Sequence, residues 1–171
     1  NTLVATVMSN LGLKKYEENN EIDFKQTKVG DRYVLEEMLK EGYNLGGEQS
    51  GHIIMLDYNP TGDGILTSLM FTKILLEKNI SASKMCDIIN IYPQVLVNAK
   101  VSNEKKNDYK NDSEIKAEID RLEQEFSGNG RVLIRPSGTE PLVRVMIEGT
   151  DKEYIQTKAE SLAKLIEKKL N

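Results

Sequence analysis

Hydrophobic and polar positions follow two different rhythms along this chain. In the first half, apolar runs alternate with amphipathic stripes. Residues 2–8, TLVATVM, form a continuous, β-branched run that predicts a strand covered on both faces, as in a parallel sheet. Ser9 or Asn10 can cap a following helix in LGLKKYEEN, and IDFKQT predicts a short second strand. After KVG, Asp31 is placed to cap the helix RYVLEEMLKEG, in which Val34, Leu35, Met38 and Leu39 share a face and Gly42 marks the end. A third strand, HIIMLD, leads through the turn YNPTGDG to ILTSLMFTKILLEKN, apolar nearly all round and therefore expected to be a buried helix.

The rhythm changes near Asn90. Pro93 can open a strand but not sit inside one, and Val95, Val97, Ala99 and Val101 then alternate. SNEKKNDYKND has no apolar face and reads as a solvated excursion. Ile115, Ile119, Leu122 and Phe126 stripe a helix. RVLIR and LVRVMIEG then predict two strands flanking PSGTEP, and Ile155, Ala159, Leu162, Ile166 and Leu170 stripe a last helix. The pattern predicts α/β plus α+β: an α/β unit over 1–90, then an antiparallel sheet with helices on one face over 91–171. Because the chain opens directly on a core-type strand, we expect the first unit to be incomplete at its N-terminus.

Composition narrows the classes. The net charge of −4 gives no general electrostatic reason to bind nucleic acid or anionic membrane, so an anion site must be local. No apolar run approaches the roughly 20 residues of a membrane span, no signal pattern is present, and the single cysteine, Cys86, fits a reducing compartment. The expected location is cytoplasmic. There is no cluster of His and Cys for zinc and no Walker-type phosphate loop. Asp57 and Asp63 flank a turn and read as caps rather than metal ligands.

Three stretches carry chemistry. In RVLIRPSGTEPLVRVM, Arg135 and Arg144 can fork onto phosphate oxygens, Ser137 and Thr139 offer hydroxyls, and Gly138 lets backbone N–H groups approach an anion. The same residues would also make a plain hairpin turn. In TKVGDRYV, Gly30 and Asp31 precede a helix whose first turn holds Arg32, which suits an anion or serves only as an exposed, capped helix start. In NLGGEQSGHIIMLD, Glu48 and Ser50 can bind vicinal hydroxyls, while Gly46, Gly47 and Gly51 thin the backbone for a ligand. His52, the only histidine, serves either packing or the ligand.

In order and spacing, TKVGDRYV, NLGGEQSGHIIMLDYNPTGDG and RVLIRPSGTEPLVRVMIEG resemble the α-D-phosphohexomutase family, and GEQSGH is closest to its branch acting on glucosamine phosphates. The resemblance spans nearly the whole chain and places it as most of domain three (1–90) plus domain four (91–171) of a four-domain enzyme. It implies interconversion of glucosamine 6-phosphate and glucosamine 1-phosphate, on the route to UDP-N-acetylglucosamine. The route runs through a phosphoserine and a glucosamine 1,6-bisphosphate intermediate, with Mg2+ held by an Asp-rich loop. Neither the serine loop nor the Asp-rich loop occurs here, so no catalytic or metal residue is assigned, and the isolated piece is expected to be inactive. Gly30, Asp31, Arg32, Glu48, Ser50 and His52 would bind the sugar; Arg135, Ser137, Gly138, Thr139 and Arg144 would bind the phosphate that is not transferred. The implied partners are a phosphosugar and the N-terminal domains of the same chain, with no nucleic acid and no membrane; a homodimer of the full-length protein is left open. A glucose- or mannose-phosphate mutase and a stand-alone phosphosugar-binding module are the alternatives.

Overall fold

A computed structural model describes residues 1–171, which separate into two compact units, Asn1–Ile91 and Tyr92–Asn171. In the first unit a four-stranded sheet has the order β2-β1-β3-β4. β1 (Thr2–Thr6) lies between β2 (Asp23–Thr27) and β3 (Leu45–Gly47), parallel to both, and β4 (Ile53–Met55) returns antiparallel to β3. β1 is joined to β2 through helix α1 (Leu11–Asn19), whose N-cap is Asn10: its side chain accepts from the Gly12 N–H at 2.9 Å. Helix α2 (Asp31–Glu41) links β2 to β3 and ends at Gly42, in the left-handed conformation.

One face of this sheet is well covered. Val4 and Ile54 pack with Val34 and Met38 of α2, all at most 1% exposed. The approach is close enough that a Cβ on Gly46 would sit 2.5 Å from the Met38 sulfur and 2.7 Å from Val34, so position 46 must be glycine for α2 to lie here. Two expectations need correction. Asp31 is the first helical residue and not the cap, because Gly30 occupies the N-cap with no side-chain bond. Leu39 is 63% exposed, since the α2 stripe is only wide enough for Val34, Leu35 and Met38 to reach the sheet.

The other face is open. Leu3, Ala5, Leu13, Leu45, Gly47 and Ile53 line an apolar cavity of about 390 Å³. Helix α3 (Gly64–Lys78) is capped by Asp63, whose Oδ1 accepts from the Ile65 and Leu66 N–H groups, which also holds that carboxyl below its usual range. The expectation that α3 is buried fails: none of its residues is buried, and Ile65, Leu69 and Leu76 are 64–76% exposed. A helix apolar all round is buried only when elements surround it, and no element of this unit does so. A short helix α4 (Ala82–Cys86) follows, and Cys86 is exposed.

In the second unit β5 (Gln94–Lys100), β6 (Arg131–Pro136) and β7 (Leu142–Glu148) form an antiparallel sheet of order β5-β7-β6. Helices α5 (Ser113–Glu125) and α6 (Lys152–Leu170) cover one face. Val95, Ala99, Val143, Val145 and Ile147 meet Ile115, Leu122, Ile155, Leu162 and Ile166 in one core. The polar excursion after β5 is more than a solvated loop. It contains a 3₁₀ turn, Asp108–Lys110, whose Tyr109 is 7% exposed in that core and donates its hydroxyl to the Ile134 carbonyl at 3.3 Å. One aromatic residue in eleven leaves no periodic signal, yet it anchors the segment.

Candidate functional site

Two clusters of the expected residues form, one in each unit. In the first, β2 and β3 flank β1 and run parallel to it, so their carboxyl ends lie at the same edge of the sheet; loops at such ends are where open α/β sheets build sites. The β2 end delivers Gly30 and the β3 end delivers Glu48. The Gly30 N–H donates to Glu48 Oε2 at 3.1 Å, joining the two loops. Glu48 is 10% exposed by side chain and lies near the positive end of α2.

The β3–β4 turn closes tightly, with the Glu48 N–H on the His52 carbonyl (3.0 Å) and the Gly51 N–H on the Glu48 carbonyl (3.0 Å). Gly51 has φ +100, a conformation that side chains resist. Inside this turn Ser50 Oγ donates to Glu48 Oε1 at 2.6 Å. A hydroxyl has one proton, so the 2.8 Å contact between Ser50 Oγ and His52 Nδ1 has the imidazole N–H donating. That tautomer leaves Nε2 of a neutral His52 as an acceptor. The result is a chain from Gly30 through Glu48 and Ser50 to His52, with hydroxyl and imidazole exposed and the carboxylate held beneath them. Such an arrangement presents both acceptors and donors to a polyol.

Asp31 and Arg32 stand apart from this chain. Asp31 Oδ1 accepts from the Arg32 N–H at 2.8 Å, and the Arg32 guanidinium, 81% exposed, pairs with Glu36 at 2.7 Å. The glycines also divide. Gly46 serves the packing of α2 and Gly47 the close passage of the His52 carbonyl, 2.7 Å from where its Cβ would lie; only Gly51 has open space around it.

The second cluster lies on the sheet face away from the helices. β6 and β7 pair so that Arg135 and Arg144 are directly opposite. Both Nε atoms are buried and have no partner. Burial first, and the neighbouring charge of Arg144 second, push the Arg135 guanidinium down from its ordinary value. Facing like charges destabilise a sheet unless an anion lies between them. Arg144 has one acidic partner, Glu140 at 2.8 Å, which is half exposed.

The connecting loop is held at its base and open at its tip. The Ser137 N–H bonds to the Leu142 carbonyl (2.9 Å), and Ser137 Oγ, on a residue 3% exposed, accepts from the Glu140 N–H (3.2 Å). Ser137 Oγ thus shapes the turn as an acceptor, while its own proton takes no acceptor in the protein. The N–H groups of Gly138 and Thr139 take no acceptor in the protein, and a Cβ on Gly138 would meet nothing within 4 Å. Two free consecutive N–H groups beside two under-satisfied guanidinium groups compose an anion nest. One residue at this loop was not singled out in the sequence: Lys106 Nζ donates to the Ser137 carbonyl at 2.7 Å and to Asn103 Oδ1 at 3.1 Å. No group of three or more His, Cys, Asp or Glu side chains converges in either unit.

Comparison with known proteins gives the family of the two units. Residues 1–92 match the model of the phosphoglucomutase/phosphomannomutase alpha/beta/alpha domain III, and residues 96–165 match that of the C-terminal domain. The chain belongs to the phosphoglucomutase/phosphomannomutase family. Among the curated phosphohexomutases it resembles, the phosphoglucosamine mutase of Clostridium tetani is 60% identical over 99% of this chain and 38% of its own length. That of Ruminiclostridium cellulolyticum is 58% identical over 100% of this chain and 38% of its own. The chain thus spans under two-fifths of these relatives. The phosphohexomutase fold is seen in solved structures too. N-acetylphosphoglucosamine mutase of Aspergillus fumigatus superposes with a TM-score of 0.82 at 19% identity, covering 98% of this chain and 38% of that one. An N-acetylglucosamine-phosphate mutase in its substrate complex gives 0.75 at 21% identity, over 96% and 38%.

Proposed function

We propose that this chain is the sugar-reading and phosphate-gripping portion of a phosphoglucosamine mutase, a longer enzyme that interconverts glucosamine 6-phosphate and glucosamine 1-phosphate. The observation that carries the reading is the facing pair Arg135 and Arg144, each with a buried, unpartnered Nε beside the free N–H groups of Gly138 and Thr139. A phosphate monoester supplies the negative charge and oxygen acceptors that this arrangement lacks. The names of relatives near 60% identity favour glucosamine among the hexoses.

In this reading Arg135, Arg144 and the loop N–H groups hold the phosphate that is not being transferred. Glu48 accepts from ring hydroxyls or the amine, and Ser50 and His52 complete the hydrogen bonds. Each charge-assisted hydrogen bond contributes about 1.5–3 kcal/mol, enough to fix one end of the substrate so that its other end is presented to the reacting group. The phosphoserine nucleophile and the 1,6-bisphosphate exchange implied by the family are assigned to the part of the longer protein that this chain does not span. The Mg2+ implied by the same resemblance finds no ligand set among these residues, and no step here is routed through it. The open apolar sheet face and the uncovered α3 support a chain that works as part of something larger.

The test is Arg135→Ala in the longer enzyme, assayed with the 6-phosphates of glucosamine, glucose and mannose. We expect kcat/KM for glucosamine 6-phosphate to fall by roughly 10- to 100-fold, the loss of one charged hydrogen bond. An unchanged value would overturn the phosphate assignment, and preference of the parent for glucose or mannose phosphate would overturn the sugar.

A further inference from the structure

The Ser137 carbonyl has one partner in the protein, the Lys106 ammonium at 2.7 Å. A trans peptide is planar, so its carbonyl and its N–H point in opposite directions. Whatever grips the Ser137 oxygen therefore sets the direction of the Gly138 N–H. A peptide preceding glycine flips easily, because glycine accepts almost any φ, and nothing crowds Gly138 in this loop. Lys106, like Arg135, is a cation here that no carboxylate neutralises. Its partners, the Ser137 carbonyl and Asn103 Oδ1, are neutral, and it forms no ion pair, whereas Arg144 shares its charge with Glu140. The segment that carries it is anchored by buried Tyr109, so the ammonium is delivered by a fixed element.

We propose that Lys106 is a positioning residue of the phosphate subsite. It locks the Ser137–Gly138 peptide with the Gly138 N–H directed away from Lys106 and available to a phosphate monoester. The inference rests on the phosphate reading of this loop and adds to it a residue from a part of the chain that carries no motif.

The test uses the longer enzyme with Lys106→Met, which keeps the aliphatic stem and removes the ammonium, Lys106→Arg, which keeps the charge, and Lys105→Met as an exposed neighbour. Binding of inorganic phosphate is followed by calorimetry and turnover of glucosamine 6-phosphate by steady-state kinetics. Loss of one oriented N–H contact to the anion predicts that Lys106→Met weakens phosphate binding and raises KM about tenfold, with kcat within about threefold. The melting temperature should stay put, Lys106→Arg should recover most of the affinity, and Lys105→Met should behave as wild type. Phosphate affinity and KM unaltered in Lys106→Met would overturn the proposal, and so would a fall in melting temperature and kcat with affinity intact. If the parent turns over no sugar phosphate, the mutase reading fails, but phosphate titration of the same variants still decides the role of Lys106. A parent that binds no phosphate overturns both.

Discussion

Glycines in this chain look alike in the sequence and do opposite work. Gly46 is required by the protein, because its missing Cβ is the space that Met38 and Val34 fill; Gly138 is required by nothing in the protein. Gly46→Ala should destabilise by about 1–3 kcal/mol, the usual cost of overpacking a filled core, and chemical denaturation would show it. Gly138→Ala should leave the denaturation midpoint unchanged, since its φ lies outside the left-handed region and its Cβ would enter open space. In the phosphate reading proposed for this loop that methyl would instead stand in the path of the anion, so KM for the sugar phosphate should rise. A lowered midpoint in Gly138→Ala would show that the loop needs its glycine for folding. Glu17 poses a different question. It is 1% exposed, both carboxylate oxygens lack partners, and burial first, with the charge of Glu18 second, pushes its pKa up to about 7 from 4.5. A carboxyl whose pKa is raised on folding stabilises the protonated form, so stability is retained below about pH 4.5 and drains away as pH climbs through about 7. Glu17→Gln should remove this slope, raising the melting temperature at pH 8 and changing it little at pH 4.5. Parallel melting curves across that range for both proteins decide it.

Among the elements, strands and capped amphipathic helices followed from local pattern. β1 was visible as an apolar run, α2 ended at Gly42 as its left-handed conformation requires, and the stripe from Ile155 to Leu170 became the buried face of α6. These succeed because residue spacing alone selects which side chains share a face. What failed involved neighbours far along the chain. Asp31 looked like a cap, but Gly30 takes the N-cap position, its N–H held by Glu48, eighteen residues beyond Gly30. The segment around Tyr109 looked solvated because a single anchoring residue has no period. The β3–β4 turn was recognised as polar and ligand-like, whereas the order Glu48, Ser50, His52 in a single hydrogen-bonded chain emerges only from the hairpin register.

Across the whole molecule, a net charge of −4 coexists with a local excess of cations at one loop, so the proposed anion site rests on geometry rather than overall charge. The apolar surface is equally local: Ile65, Leu69 and Leu76 on α3, and Leu45 and Ile53 on the open sheet face, are 38–76% exposed. Patches of this kind are seldom left uncovered in a working protein. The 171-residue chain alone should therefore bind a hydrophobic dye strongly, and the longer enzyme should not; fluorescence titration of the two separates the cases. Hydrophobic periodicity was sufficient for the fold class and most elements, and three short motifs were sufficient for the family, because both are written in nearest-neighbour spacing. The pairing of Arg135 with Arg144, the link from Gly30 to Glu48, the approach of Lys106 to Ser137 and the exposure of α3 had to await the folded chain. Each depends on strand register or on which surfaces meet, and those are set by the summed packing of distant segments rather than by any residue's own neighbours.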